Sequence, residues 1–446
     1  MISNNNIIPF VFDNWHENYQ WWIPNTVPAD FIINGEKHLP ATHDFAWFDY
    51  DRNNINAKPW FNVSFDYPAY KNDYLYEHNF IKYVKKSDIT NEKYIYPVMI
   101  RVYGYFDKHK DVGFKYVSNE VIKDVKNNKA KIVLMYPFEG ICGSSPSKKT
   151  APNTKNDFSI LNKWCTEAGL NKDQVYFIHG NWKITSELLS YNFTYVPVLG
   201  FYNRLKTDLT SITEFNPIND RNLFLCYNRR VDWGRQLLLC EMLKNGLLNK
   251  GCVSYISRFP NDAVQAVQEH NRTDLLDAAT TLESISPLTL DVVNLDRTNP
   301  VDFINVGHHS TTFLSLITET LWGEDTIFFT EKTLKPILAG QPFLLFSSPG
   351  SLKELQRQGY QTFSKWWDES YDAELNLDKR VSIIVSVLKK INELSIQDLK
   401  SIRKNMSEIL IYNQNLYKSR KSFCEINGYD YFQFLYVEIK KIWDKC

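Results

Sequence analysis

The sequence predicts an α/β protein of two doubly wound halves facing a cleft, with a helical C-terminal tail. Three observations carry this. Short apolar runs recur, as in "AKIVLMYP" (130–137) and "PFLLFSS" (342–348). Segments of helical apolar spacing alternate with them, the pattern of parallel strands joined by crossover helices. A polar, Pro-containing stretch, "KTDLTSITEFNPINDR" (206–221), splits the series into two and reads as a linker.

The first hundred residues are irregular and aromatic-rich, as in "WHENYQWWIP", "HDFAWFDYD" and "PWFNVSFDYPAY". Asn, Asp and Pro interrupt them, so short strands and ordered loops are expected there. The regular series then begins with strand "YPVMIRVYG" (96–104). A helix over "SNEVIKDVKNN" follows, capped by Ser118, and then strand 130–137. Next come helix 156–170, strand "DQVYFIHG" (173–180), helix 185–192 and strand "YVPVLGF" (195–201). Beyond the linker stand strand "NLFLCYN" (222–228), helix 234–248, strand "GCVSYIS" (251–257) and helix 261–271. Strand "FLSLITE" (313–319), strand 342–348 and helix 351–359 complete the second half, and the tail is helical from about Lys379. The predicted division is 1–210, 211–410 and 411–446, the last packing back on the first domain. In such a fold the C-terminal ends of the strands face the ligand cleft.

Composition excludes some classes. With 43% hydrophobic residues the chain can build sizeable cores, so general disorder is not expected. The 51 basic and 51 acidic residues cancel, which leaves no global basic field for non-specific nucleic-acid binding. The seven cysteines are scattered without a CxxC pair, against a zinc site or a disulfide framework. The start, "MISNNNIIPFVFDNWHENYQ", lacks the features of a signal peptide, and no apolar run reaches membrane-span length. The expectation is a cytoplasmic protein without a membrane partner; its oligomeric state is open.

The chemistry concentrates in "FFTEKTLKPILAGQPFLLF". Thr330 reads as an N-cap, with Glu331 and Lys332 in the first turn and Gly340 as the C-terminal stop. Pro336 predicts a tight or kinked turn over Thr330–Lys335. The helix dipole accounts for Glu331 but not for Lys332, which is at the unfavourable end. An anion bound there would account for both, because backbone N–H groups and an ammonium can share one phosphate. Arg229 and Arg230 follow strand 222–228, and Arg235 lies just beyond, so two cationic elements could meet over a diphosphate. Their ordinary reading is exposed arginines paired with Asp232 or Asp220. Glu319 ends its strand, where a carboxylate can bind ribose or sugar hydroxyls or simply be solvated. No GxxxxGK[ST] or GxGxxG occurs. In the first half, Glu139 and His179 each follow a strand, and Asp44 lies beside His43. Any of them could be a general base, or a cap, a loop histidine and a turn acid. His308 and His309, read as strand neighbours, point to opposite faces, and no metal is expected.

At these residues the chain resembles glycosyltransferases of the GT-B fold, with two Rossmann-like domains. Phe313–Phe346 is similar to the donor-binding region of α-1,3-fucosyltransferases, through Thr330-Glu331-Lys332 and Gln341-Pro342-Phe343. The resemblance implies that Lys332 contacts a donor diphosphate, Glu331 a sugar or ribose, and Arg229 or Arg230 the phosphate. It implies donor binding in the second domain and acceptor binding in the first. The family's upstream Asn-Ser is absent, Glu319-Thr320 standing nearby, and Phe328 replaces a tyrosine. The donor is therefore open between UDP- and GDP-sugars. "FLCYNRR", "TEKTLKPILAGQPF" and "PGSLKELQRQGYQTF" also resemble proteins of large-tailed phages and related viruses, which implies a virus-infected host cell. Phages of that kind glycosylate modified DNA bases. The expected function is thus an inverting, metal-independent glycosyltransferase acting on a hydroxymethylpyrimidine in DNA or on a glycan. The alternative is an inactive viral protein of the same fold that binds a nucleotide or glycan.

Overall fold

The computed structural model describes residues 8–12, 32–33, 36–37, 81–99, 117–136, 154–197, 214–218, 223–228, 231–290, 304–323, 326–426 and 433–446. These form a mixed α/β protein with two parallel sheets. The first half holds β1 (Ile8–Phe12), a small antiparallel pair of β2 (Ile32–Ile33) and β3 (Glu36–Lys37), β4 (Ile81–Lys85) and β5 (Tyr94–Met99). It continues with α1 (Asn119–Lys126), β6 (Ala130–Tyr136), α2 (Thr154–Glu167), β7 (Val175–His179), α3 (Ser186–Ser190) and β8 (Thr194–Pro197). The six-stranded order is β4-β1-β5-β6-β7-β8, parallel throughout. β7 is buried along its whole length, as a strand covered on both faces must be, whereas the terminal strand β8 is half-buried.

The second half runs β9 (Phe224–Asn228), α4 (Trp233–Lys244), β10 (Cys252–Tyr255), α5 (Asp262–Glu269), α6 (Leu276–Ile285), α7 (Val306–Thr311) and β11 (Leu314–Thr318). Then follow α8 (Glu331–Ala339), β12 (Phe343–Phe346), α9 (Ser351–Arg357), α10 (Leu377–Asn392), α11 (Ile396–Asn405), α12 (Ser407–Ile426) and α13 (Gln433–Trp443). Its four strands are parallel in the order β10-β9-β11-β12. The chain leaves β9 to one side for β10, then returns to its other side for β11 and β12. The sheet's switch point therefore lies between β9 and β11, where α/β proteins open a crevice at the strand C-termini. Each half has its own apolar core. Val121, Ile132, Leu134 and Phe177 belong to one, and Leu238, Leu316, Leu338 and Leu344 to the other. Fully burying one such side chain contributes about 1.5–3 kcal/mol.

Local signals worked where they had a mechanism. Ser118 caps α1 by accepting from Val121 N. Thr330 caps α8, and Gly340 ends it at φ 68 in the left-handed region. Two expectations are corrected. Pro336 lies within a helix that is continuous from Glu331, with no separate turn before it. His308 and His309 lie on α7, not on a strand, because Asn305 caps a helix there by accepting from His308 N. β1, between β4 and β5 in the first sheet, is one of the short strands expected in the first hundred residues.

Candidate functional site

The switch point is closed at its base by polar contacts. Thr318 Oγ1 donates to Asn228 Oδ1, joining the last residues of β11 and β9. Asn228 N donates to Ser254 Oγ at 3.1 Å, tying in β10. Arg235 is buried and donates through Nη2 to Thr318 O at 2.9 Å, so its guanidinium is spent on the end of β11 and is not exposed to a ligand. Asp232 caps α4 by accepting from Arg235 N, and the same Oδ1 accepts from Trp322 Nε1 at 2.9 Å. Among the described residues, Asp232 pairs with Arg235, at 3.4 Å.

The first turn of α8 is tied to the end of β11 through Glu319. Glu319, the residue after β11, has 0% exposure. Its Oε1 accepts from Thr330 N at 2.9 Å and Thr333 Oγ1 at 2.6 Å. Its Oε2 accepts from Thr330 Oγ1 at 2.7 Å and Thr320 N at 3.3 Å. A buried carboxylate is tolerable only when so satisfied. This corrects the expectation that Glu319 meets a ribose or sugar: its oxygens are occupied and screened, and it seats α8 on the end of β11. Thr330 Oγ1 in turn accepts from Lys332 N at 3.2 Å and from Lys332 Nζ at 3.3 Å.

Glu331 and Lys332 stay accessible at the surface of this turn, with 17% and 25% of their side chains exposed. Lys332 Nζ donates to Glu331 Oε1 at 2.8 Å. Burial alone would raise the Glu331 carboxyl, but the charge and hydrogen bond of Lys332, helped by Lys335, hold it down at about 2. Two of the three ammonium N–H groups of Lys332 are directed at Glu331 and Thr330.

The C-terminal end of α8 is fixed as firmly. Gln341, from the Gln-Pro-Phe sequence, donates through Nε2 to Thr312 O at 2.9 Å and His309 O at 3.2 Å. Its Oε1 accepts from Ser315 Oγ and from His309 Nδ1 at 2.6 Å. Arg403 of α11 donates to Phe313 O and Gly340 O, and Gln414 of α12 to Leu338 O. The similarity at Gln341-Pro342-Phe343 therefore falls on a packing hub.

Of the first-half candidates, His179 ends β7 and is buried among Phe158, Phe177 and Tyr195. Burial pushes its imidazole down to about 3. That makes it a weak proton acceptor at neutral pH, and its Nδ1 accepts from Asn181 N at 3.1 Å. Glu139, Asp44, His43, Arg229 and Arg230 lie outside the described residues. Sequence reasoning missed Asn228 and Asn181, both polar residues at or just beyond a strand end, where polar side chains in this fold serve the crevice. Among the described residues no group of three His, Cys, Asp or Glu is arranged to hold a metal, and no helix is long and apolar enough to cross a membrane.

The fold and site define an α/β protein of two parallel sheets with a Glu-Lys pair in the helix turn that Glu319 anchors to the end of β11. The chain matches no protein-family model and no curated protein.

Proposed function

We propose that the chain is a glycosyltransferase that moves a sugar from a nucleotide-diphosphate donor, a UDP- or GDP-sugar, to an acceptor hydroxyl. The observation that carries this reading is the Glu319–Thr330–Lys332 hydrogen-bond chain, which ties a partly exposed ammonium at a helix N-terminus to the C-terminal end of β11, one of the two strands that bound the switch point. Lys332 would take a diphosphate oxygen together with Arg229 and Arg230, which follow Asn228 in the sequence. These groups would neutralise the charge that develops as the donor bond breaks. Glu331 would hold a sugar or ribose hydroxyl.

The acceptor would lie against the first half and lose its proton to Glu139 or Asp44. His179, buried and pushed down to about 3, is not proposed as the base. The reaction is proposed as a metal-independent inverting displacement. The acceptor class is a hydroxymethylated DNA base or a glycan, in the cytoplasm of a virus-infected cell.

Thermal-shift titration with UDP-, GDP- and CMP-sugars tests the donor half, with Lys332→Ala as control. Stabilisation by a UDP- or GDP-sugar that is lost in Lys332→Ala supports it. No response to any of the three refutes it. Binding without turnover in the presence of DNA and glycan acceptors favours the alternative, an inactive nucleotide-binding protein. Nucleoside mass spectrometry of DNA from expressing cells decides the DNA acceptor.

A further inference from the structure

The turn after β7 reaches the segment that leads into α8. Trp182 N donates to Ile327 O at 2.7 Å, and Ile327 N donates to Asn181 Oδ1 at 2.9 Å. Asn181 is 1% exposed and is held by the first sheet. Its N–H donates to His179 Nδ1 on β7, and its carbonyl accepts from Tyr195 OH on β8 at 2.7 Å. Its Oδ1 also accepts from Lys183 N at 2.9 Å. Beyond Ile327, Phe328 and Phe329 are buried in the second core, and Thr330 begins the anchored turn of α8. Trp182 packs against that same core, with the Arg357 guanidinium 5.7 Å from its ring centre.

Ile327 is thus paired to the first half on both its N–H and its carbonyl, while Thr330, three residues on, carries the cap that holds Lys332. A segment buried and hydrogen-bonded at both ends transmits displacement, because packed interiors deform little. We propose that Asn181 is a positioning residue: through Ile327 it sets the first turn of α8, so that phosphate binding at Lys332 requires the first half of the chain. This rests on the reading of Lys332 as a diphosphate contact. It gives His179 and Tyr195 a role as well, since both orient Asn181.

The test uses the full chain with inorganic pyrophosphate as probe. Asn181→Leu keeps the volume but removes the acceptor, and Asn181→Asp restores an acceptor oxygen. Hydrogen exchange is followed at the amides of residues 327–334, with α10 as internal reference, and pyrophosphate affinity by calorimetry. For Asn181→Leu the expected result is exchange accelerated about tenfold at 327–334 relative to α10, and affinity weakened about five- to tenfold, the scale of one buried hydrogen bond. Asn181→Asp should recover both. Lys332→Ala should lose pyrophosphate while exchange at Ile327 stays as in the wild type. Unchanged exchange at 327–334 in Asn181→Leu overturns the proposal, as does an acceleration matched equally by α10. If the wild type does not bind pyrophosphate, the reading of Lys332 fails, and exchange alone decides the positioning of α8 by Asn181.

Discussion

Replacing Glu319 by glutamine changes one heavy atom and should still be costly. The carboxylate accepts from Thr330 N and Thr333 Oγ1 on one oxygen, and from Thr330 Oγ1 and Thr320 N on the other. Each oxygen therefore faces a backbone N–H that cannot turn away. The less damaging orientation of the amide keeps its oxygen on Thr330 N and directs its NH2 at Thr320 N. There donor meets donor, and the Thr330 hydroxyl, already accepting from Lys332, must find a new partner. The perturbation removes the charge from four hydrogen bonds and opposes one buried donor, about 2–3 kcal/mol in total. Glu319→Ala leaves the Thr330 N–H without its acceptor and opens a cavity, which should cost ~4 kcal/mol. Urea unfolding followed by tryptophan fluorescence measures both, with equal slopes required for the comparison. A glutamine variant within about 0.5 kcal/mol of the wild type would refute the idea that this carboxylate anchors α8.

Two further outcomes follow from buried contacts. A Cβ on Gly234 would lie 2.8 Å from the Trp322 ring, which Asp232 holds by its indole N–H. Gly234→Ala should therefore destabilise by about 1–2 kcal/mol, overpacking outweighing the gain in helix propensity, and a thermal melt that rises instead contradicts it. His179 and His309 are both pushed down by burial, to about 3 and about 4 from 6.5. As pH falls below 6.5 the unfolded chain takes up protons that the folded chain refuses. Their contribution is thus complete above pH 6.5 and is lost on acidification, by up to ~1.4 kcal/mol per pH unit for each group. His179→Asn, which keeps an acceptor for Asn181 N, should flatten the urea-derived stability profile between pH 6.5 and about 4.5; an unchanged slope would count against a neutral buried imidazole.

The alternation of apolar strands and helices was legible because parallel strands buried on both faces leave continuous apolar runs, as in β7 and β12. Caps at Ser118 and Thr330 and the stop at Gly340 were legible because each has a local mechanism. Short strands were expected in the first hundred residues, but β1 could not be located among them: five residues containing Pro9 carry little periodic signal, and pairing with β4 and β5 identifies them. Within the site, residue types were legible but not their depth. Glu319, Arg235 and Lys332 all read as ligand-facing charges. Tertiary packing buries the first two completely and leaves the third part-exposed, and no local pattern encodes that difference. Asn181 was invisible for the same reason, since its partner Ile327 is 146 positions away.

What the part-exposed pair can do is limited by its own neutrality. Glu331 and Lys332, 2.8 Å apart and partly buried, attract each other by on the order of a few kcal/mol before desolvation is subtracted. An arriving anion cannot cheaply break that contact. It can use the part-exposed ammonium of Lys332 and the dipole of α8, an attraction worth about 1–2 kcal/mol in a partly buried setting. A diphosphate bound by this turn alone would therefore be weak. The proposed function requires further positive charge at the same switch point, and Arg235 cannot supply it, being buried against Thr318 and Asp232. The two arginines that follow Asn228 are the nearest in sequence to that crevice. The proposal therefore depends on Arg229 and Arg230 as much as on Lys332, and replacing both should abolish sugar-nucleotide binding even with the Glu319–Thr330 anchor intact.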